Sequence, residues 1–190
     1  SPYEQMQDLA VIAYYRLDDS ATIRVTDEMC PYLKMTGEEV LENAHKNTNK
    51  QEYRLETLAD VLDRMIPYNI QEPNEMEEKA YVLTNSNNAF GAALITNPDV
   101  MDHVREVIGE DYYIAPSSIH ETILVPKSMV DDPKELEDII KEVNKSAVRR
   151  DEQLSDHAYY YNSQDRKIEL ATKPEQEKSE YQEQNNDRNR

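Results

Sequence analysis

Short apolar runs in this sequence come as neighbours, two at a time, with only a few turn-forming residues between them. Tyr81–Thr84 and Ala89–Ile95 flank Asn85-Ser86-Asn87-Asn88, residues that tolerate left-handed backbone conformations. Tyr112–Ala115 and Ile119–Val125 flank Pro116-Ser117-Ser118, and His157–Tyr161 and Lys167–Ala171 flank Asn162-Ser163-Gln164-Asp165. Near the start, Leu9–Leu17 is apolar on both strand faces, breaks at Asp18-Asp19-Ser20, and is followed by the alternating Thr22–Thr26. A hairpin of one buried and one half-buried strand fits this pattern, with a buried helix over 9–17 as the competitor.

Helical segments are inserted between these pairs. Thr36-Gly37-Glu38-Glu39 has capping-box spacing and predicts a helix to about Asn47 that buries Val40, Leu41 and Ala44. Leu55, Leu58, Ala59, Leu62, Met65 and Ile66 form a stripe at three- and four-residue spacing, so a second helix is expected over 55–65, stopped by Pro67. Residues 68–79 read as a polar connector. Asn97-Pro98 and Asp132-Pro133 each pair a capping residue with proline at the first helical position. The first predicts a helix burying Val100, Met101, Val104, Val107 and Ile108, ended by Gly109. The second predicts one burying Leu136, Ile139, Ile140, Val143 and Ala147. Ala89, Gly91 and Ala93 share a strand face, and such small side chains imply a helix packed close against them.

This order predicts an α+β domain over 1–171, a largely antiparallel sheet built from hairpins with four or five packed helices. After Ala171 the chain turns to Glu, Gln, Asn, Lys and Arg with one Tyr181. Residues 172–190 are therefore expected to be a disordered polar tail.

Charge narrows the function classes. Lys and Arg total 21 against 39 Asp and Glu, a net charge of -18, and the excess of acids is spread evenly along 1–171. Direct nucleic-acid binding is not expected, because phosphates need cationic partners, and anionic membrane surfaces are disfavoured in the same way. No apolar run approaches the ~18 residues that span a bilayer. Three scattered glycines make no phosphate-cradling loop. Cys30 is the single cysteine, so no internal disulfide forms, and a reducing, cytoplasmic setting is expected. Beside Pro31 it reads as a small buried hydrophobe.

Tyr81-Val-Leu-Thr-Asn85, Gly91-Ala-Ala93, the stretch Tyr112–Pro126 and Val143-Asn144 carry a resemblance, as do Leu154-Ser155-Asp156, Tyr159-Tyr-Tyr161, Asp8–Tyr15 and Thr36–Leu41. Over about 8–171 the chain resembles an uncharacterised bacterial family, a domain of unknown function of gut anaerobes and their mobile elements. Pro116-Ser-Ser-Ile-His-Glu121 is its most specific part. The resemblance implies an accessory role in a mobile element and a further N-terminal segment in relatives. It brings no activity with it.

Ser117, Ser118, His120 and Glu121 form the one local cluster of nucleophile, base and carboxylate types, the raw material of a small hydrolase. On a strand, Ser118 and His120 share a face while Glu121 points away, so a triad would need a distant carboxylate such as Asp156. His45, His103, His120 and His157 lack zinc-helix spacing, and no metal or cofactor is expected. Thirteen tyrosines stand against one Phe and no Trp. Tyrosine combines contact area with a polar tip, which makes Tyr159, Tyr160 and Tyr161 candidate binding residues, or else core on one face and edge cover on the other. The leading expectation is a non-enzymatic cytoplasmic interaction protein with an unidentified protein partner. The alternatives are an acidic, nucleic-acid-mimicking decoy and the Ser118–His120 hydrolase.

The tail reading predicts that deleting 172–190 leaves the thermal unfolding midpoint within a few degrees, because those residues offer little apolar area against their ordering entropy.

Overall fold

The computed structural model describes residues 1–18, 21–66, 72–116 and 118–172. Ser117 and residues 173–190 of the expected tail lie outside them. The fold is α+β. Its centre is a six-stranded, wholly antiparallel sheet formed by β5 (Tyr53–Thr57), β6 (Tyr81–Asn85), β7 (Tyr112–Ala115), β8 (Glu121–Pro126), β9 (Tyr159–Asn162) and β10 (Lys167–Leu170). The spatial order is β10-β9-β7-β8-β6-β5. Two small hairpins precede it: β1 (Tyr3–Met6) with β2 (Leu9–Ile12), and β3 (Tyr14–Arg16) with β4 (Thr22–Arg24).

The helices are α1 (Cys30–Leu33), α2 (Gly37–Thr48), α3 (Leu58–Met65), α4 (Glu75–Lys79), α5 (Pro98–Ile108) and α6 (Pro133–Ser146). Among the described residues, α2, α3, α5 and α6 reach eight or more residues, in line with the sequence pattern. The expected caps form: Thr36 and Glu39 close a capping box on α2, Asn97 and Asp132 cap α5 and α6, and Gly109 ends α5 at φ 84°.

Strand alternation sorts the core into two layers. Leu83, Tyr112, Ile114, Leu124, Tyr159 and Tyr161 face α5 (Val100, Met101, Val104) and the β1–β2 hairpin. Tyr113, Ala115, Val125 and Ala158 face α6 through Leu136 and Ile140, with Leu58 and Met76 packed alongside. A third, small cluster of Ala13, Val25 and Val40 ties β3–β4 to α1 and α2. Cys30 packs on it half-buried, its thiol directed at the Thr26 carbonyl.

Four local expectations are corrected. Leu9–Leu17 is not one strand; it splits at Ala13, so β2 pairs backward with β1 and only β3 pairs with β4. The helix expected from Leu55 begins at Leu58. Leu55 lies opposite Leu83 in the sheet, and the Thr57 side chain, at the strand's last residue, caps α3 by accepting from the Asp60 amide. The connector over 68–79 contains α4, closed by an Asn74–Glu77 capping box. Ala89–Ile95 is not a strand, because the buried Asn85 side chain ties off the chain by bonding both the amide and the carbonyl of Ala89. Residues Gly91–Thr96 then coil as a 3-10 helix. The small residues do mark a close approach, but to strand backbone: a Cβ on Gly91 would lie 2.4 Å from the His120 carbonyl oxygen and 2.7 Å from the Asn85 nitrogen.

Helix α6 is also turned relative to its apolar stripe. Leu136 and Ile140 are buried as expected, but Ile139 is 56 % exposed and Val143 and Ala147 also face outward. Glu137 and Asn144 are buried in their place. Both are held by the 153–158 segment and the chain beyond it. Asn144 donates to the Ser155 carbonyl (3.0 Å) and to Asp156 (2.9 Å), and Glu137 accepts from the Thr172 hydroxyl at 2.6 Å. Thr172, the first residue of the expected tail, thus bonds to the folded body.

The tyrosine triplet on β9 spans both layers. Tyr159 and Tyr161 are wholly buried and Tyr160 is half-buried. Each hydroxyl donates to an aspartate on a different element: Tyr159 to Asp8 in the β1–β2 turn (2.5 Å), Tyr160 to Asp111 before β7 (2.5 Å), Tyr161 to Asp102 on α5 (2.6 Å). The bond to Asp111 and the negative charge beside it push the Tyr160 hydroxyl up to about 12, while that bond and the one from Arg105 hold Asp111 below its usual range. Burial, then the Asp102 bond, pushes Tyr161 up to about 12.

Tyr161→Phe should therefore cost about 1.5–3 kcal/mol, the usual worth of a hydrogen bond to a charged group, and lower the midpoint by roughly 3–10 °C. The linkage has a definite sign. Stability from these raised tyrosines is complete below about pH 10, where the unfolded hydroxyl titrates, and is lost as pH rises through about 12. Urea midpoints measured across pH 8–12 should fall for the wild type and fall less for Tyr161→Phe.

Candidate functional site

Ser118-Ile-His enters β8 from a bend, so the described side chains of this segment are set by turn geometry rather than strand alternation. The Ser118 hydroxyl accepts from the backbone N–H of His120 at 3.0 Å, and the Ser118 N–H donates to the Glu121 carbonyl at 3.2 Å. This is a serine closing its own turn. The hydroxyl bonds the backbone of His120, not its ring.

The imidazole is engaged at both nitrogens. Its Nδ1 accepts from the Phe90 backbone N–H at 3.2 Å, which leaves Nε2 to donate to Glu152 at 3.3 Å. That pattern assigns the tautomer. Glu152 also receives the Arg149 guanidinium, and Arg149 first, with His120 as a smaller contribution, holds its carboxyl below the usual range. Around them the Ile119 N–H donates to the Glu152 carbonyl (2.9 Å) and Thr84 Oγ1 donates to the His120 carbonyl (2.9 Å). His120 thus knots three segments: the chain after β6, the bend before β8, and residues 149–152. Glu121 lies opposite Thr84 in the sheet, and its carboxylate bonds neither Ser118 nor His120. Asp156 is held by Asn144 instead.

The partners of His120 were not foreseeable as a motif. Arg149 and Glu152 stand three apart, an ion-pair spacing, but nothing local links them to residue 120. Phe90 contributes its backbone, which no side-chain pattern encodes.

The other histidines are dispersed. His45 contacts Glu4 (2.9 Å), His103 contacts the Tyr53 hydroxyl (2.6 Å), and His157 contacts Glu137 (3.4 Å). Among the described residues, no three His, Cys, Asp or Glu side chains gather where they could hold a metal ion. No described helix is long and apolar enough to cross a membrane. The tyrosine triplet offers little to a partner, since Tyr159 and Tyr161 are core and Tyr160 is bonded to Asp111 and sits beneath the Lys127 ammonium.

Seven of the large apolar residues that face solvent lie near the start of the chain, the others being on α3, α5 and α6 and at Ile66. Tyr3, Tyr14, Tyr15, Leu17, Ile23, Tyr32 and Met35 are all more than a third exposed. On the β3–β4 hairpin, Tyr15 stands directly opposite Ile23 on one face, while Tyr14, Arg16 and Thr22 share the other and line a cavity.

This arrangement of sheet, knot and hairpins defines an α+β protein with no assembled catalytic group among the cluster residues that are described. Residues 1–163 match a family of unknown function (DUF5688), and the chain belongs to that family. Comparison with curated proteins and with solved structures returns no match.

If His120 works as a structural knot, His120→Ala strands the Phe90 N–H and should destabilise the fold by about 1–3 kcal/mol, read as a lower urea midpoint. An unchanged midpoint would contradict that role.

Proposed function

We propose that this chain is a non-enzymatic cytoplasmic protein that acts by binding a protein partner, with the outer face of the β3–β4 hairpin as its contact surface. The observation that carries this reading is the pairing of Tyr15, 50 % exposed, with Ile23, and the exposed Leu17 that follows in the same strand direction. Tyrosine and branched apolar side chains at one spot are the composition of an interface centre. The hairpin is also a separate two-stranded sheet. An isolated hairpin is marginally stable in water, and its edges can take a further strand from a partner. An accessory role in a mobile element rests on the family resemblance alone.

The competing reading, an acidic decoy, places the binding energy in carboxylates. The two separate by salt and by mutation once the partner has been captured by pull-down from a native host. Exposed charges are screened beyond about 10 Å at 0.1 M salt, whereas apolar burial is not. We expect Tyr15→Asp with Ile23→Asp to abolish capture in a chain that keeps its unfolding midpoint, and binding to weaken only modestly with salt. Affinity that collapses with salt, with nucleic acid competing for the partner, would establish the decoy instead.

A further inference from the structure

Behind the β3–β4 hairpin, between it, the end of α2 and the turn after β6, lies a recess of about 320 Å³. Its walls are Tyr14, Phe90 and small side chains such as Ala44 and Ala93. Among the described residues its polar lining is almost entirely neutral: Thr22, Asn47, Thr48, Gln51, Asn85 and Asn87, with Arg16 the one charged residue and no carboxylate. Two other recesses also lack acids, but their linings are almost wholly apolar, whereas this one is rich in neutral amides and hydroxyls.

Two parts of this recess are held in advance of any ligand. Asn85 is 2 % exposed; its Nδ2 donates to Gln51 Oε1 (2.9 Å) and to the Ala89 carbonyl (2.7 Å), and its Oδ1 accepts from the Ala89 N–H. That network fixes the Gln51 amide and leaves its NH2 group without a bond among the described residues. Phe90, the only phenylalanine in the chain, sits in the left-handed region at φ 57°. Such a conformation is strained for a bulky residue and persists only where the surroundings enforce it, often at ligand clamps. Here the His120 ring enforces it by accepting the Phe90 N–H. The Phe90 ring then stacks on Tyr14 with centroids 4.5 Å apart.

We propose that this recess binds an uncharged planar heterocycle with amide-like edges, a free nucleobase or its nucleoside. The stacked Tyr14–Phe90 pair offers an aromatic surface to a flat ring, and the Gln51 amide, with Asn47 and Asn87 in the same lining, matches paired donor–acceptor edges while Asn85 holds Gln51 in place. The volume stands at the low end for ligand pockets, which fits a nucleoside and not a dinucleotide. Phosphates are disfavoured by the charge of the whole chain. Nothing in this inference depends on a protein partner at the opposite hairpin face.

The test is calorimetric titration of the full chain with adenosine, guanosine, cytidine, uridine and their free bases, with glucose and galactose as comparators. At least one base or nucleoside should saturate with a dissociation constant below about 1 mM and raise the thermal midpoint. Gln51→Ala and Tyr14→Ala should each weaken it by about tenfold or more, while Tyr32→Ala, at a fully exposed site outside the recess, should leave it unchanged. Circular dichroism and the unfolding midpoint of each ligand-free variant confirm that it is folded. Saturation by none of the bases or nucleosides, saturation by the sugars alone, or affinity indifferent to both Gln51→Ala and Tyr14→Ala would overturn the proposal.

Discussion

Three consecutive tyrosines donating to three aspartates hold this architecture together. A chain this acidic brings carboxylates to the rim of its core, where a partly desolvated carboxylate is stabilised by groups that donate to it. Arg166 and Arg105 reach Asp102 and Asp111, and a tyrosine hydroxyl adds a further donor to each. Tyrosine supplies a neutral donor on a large apolar body, so one residue both fills core volume and satisfies an acid. Asp8, Asp102 and Asp111 are met in this way from a single strand, and Tyr112 uses its hydroxyl on the Met101 carbonyl at 2.8 Å. The odd aromatic composition has this use: phenylalanine would fill the same space and remove one donor from the acid or carbonyl. The single Phe stands where no hydroxyl bond is needed, on the Tyr14 ring.

Local rules were sufficient wherever a short motif determined the outcome. The caps at Thr36, Asn97 and Asp132, the stop at Gly109 and the β7, β9 and β10 strands were legible because each depends on neighbours within a few residues. The antiparallel α+β class followed from the paired runs. The failures involve partners outside the segment concerned, near or far, except for α4, whose Asn74–Glu77 capping box is local. Nothing near Leu55 indicates that Leu83 lies opposite it, and nothing in Ala89–Ile95 shows that Asn85 will tie off the turn and send the chain into a coil. Helix α6 presented its apolar stripe correctly, but Glu137 and Asn144 bond to residues 153–172, and those bonds set its rotation.

The same division applies to the site. The Pro-Ser-Ser-Ile-His-Glu segment was visible as unusual, and the mismatch of Glu121 with Ser118 and His120 was visible from strand alternation. That both imidazole nitrogens are occupied was not, since one partner is a backbone amide and the other, Glu152, is 32 residues away. The tyrosine triplet was legible as two-faced. The exposed tyrosines nearer the start of the chain stood out only after burial separated them from the rest.

Strand alternation in β3 has one more outcome. Tyr14 and Tyr15 are adjacent in the chain and face opposite ways, one into the recess and one into solvent, across a sheet only one residue thick. Val25 anchors the far end of this hairpin by donating to the Ala13 carbonyl at 2.9 Å. Any free energy by which occupancy of one side shifts the hairpin is felt on the other, and thermodynamic reciprocity makes the factor identical in both directions.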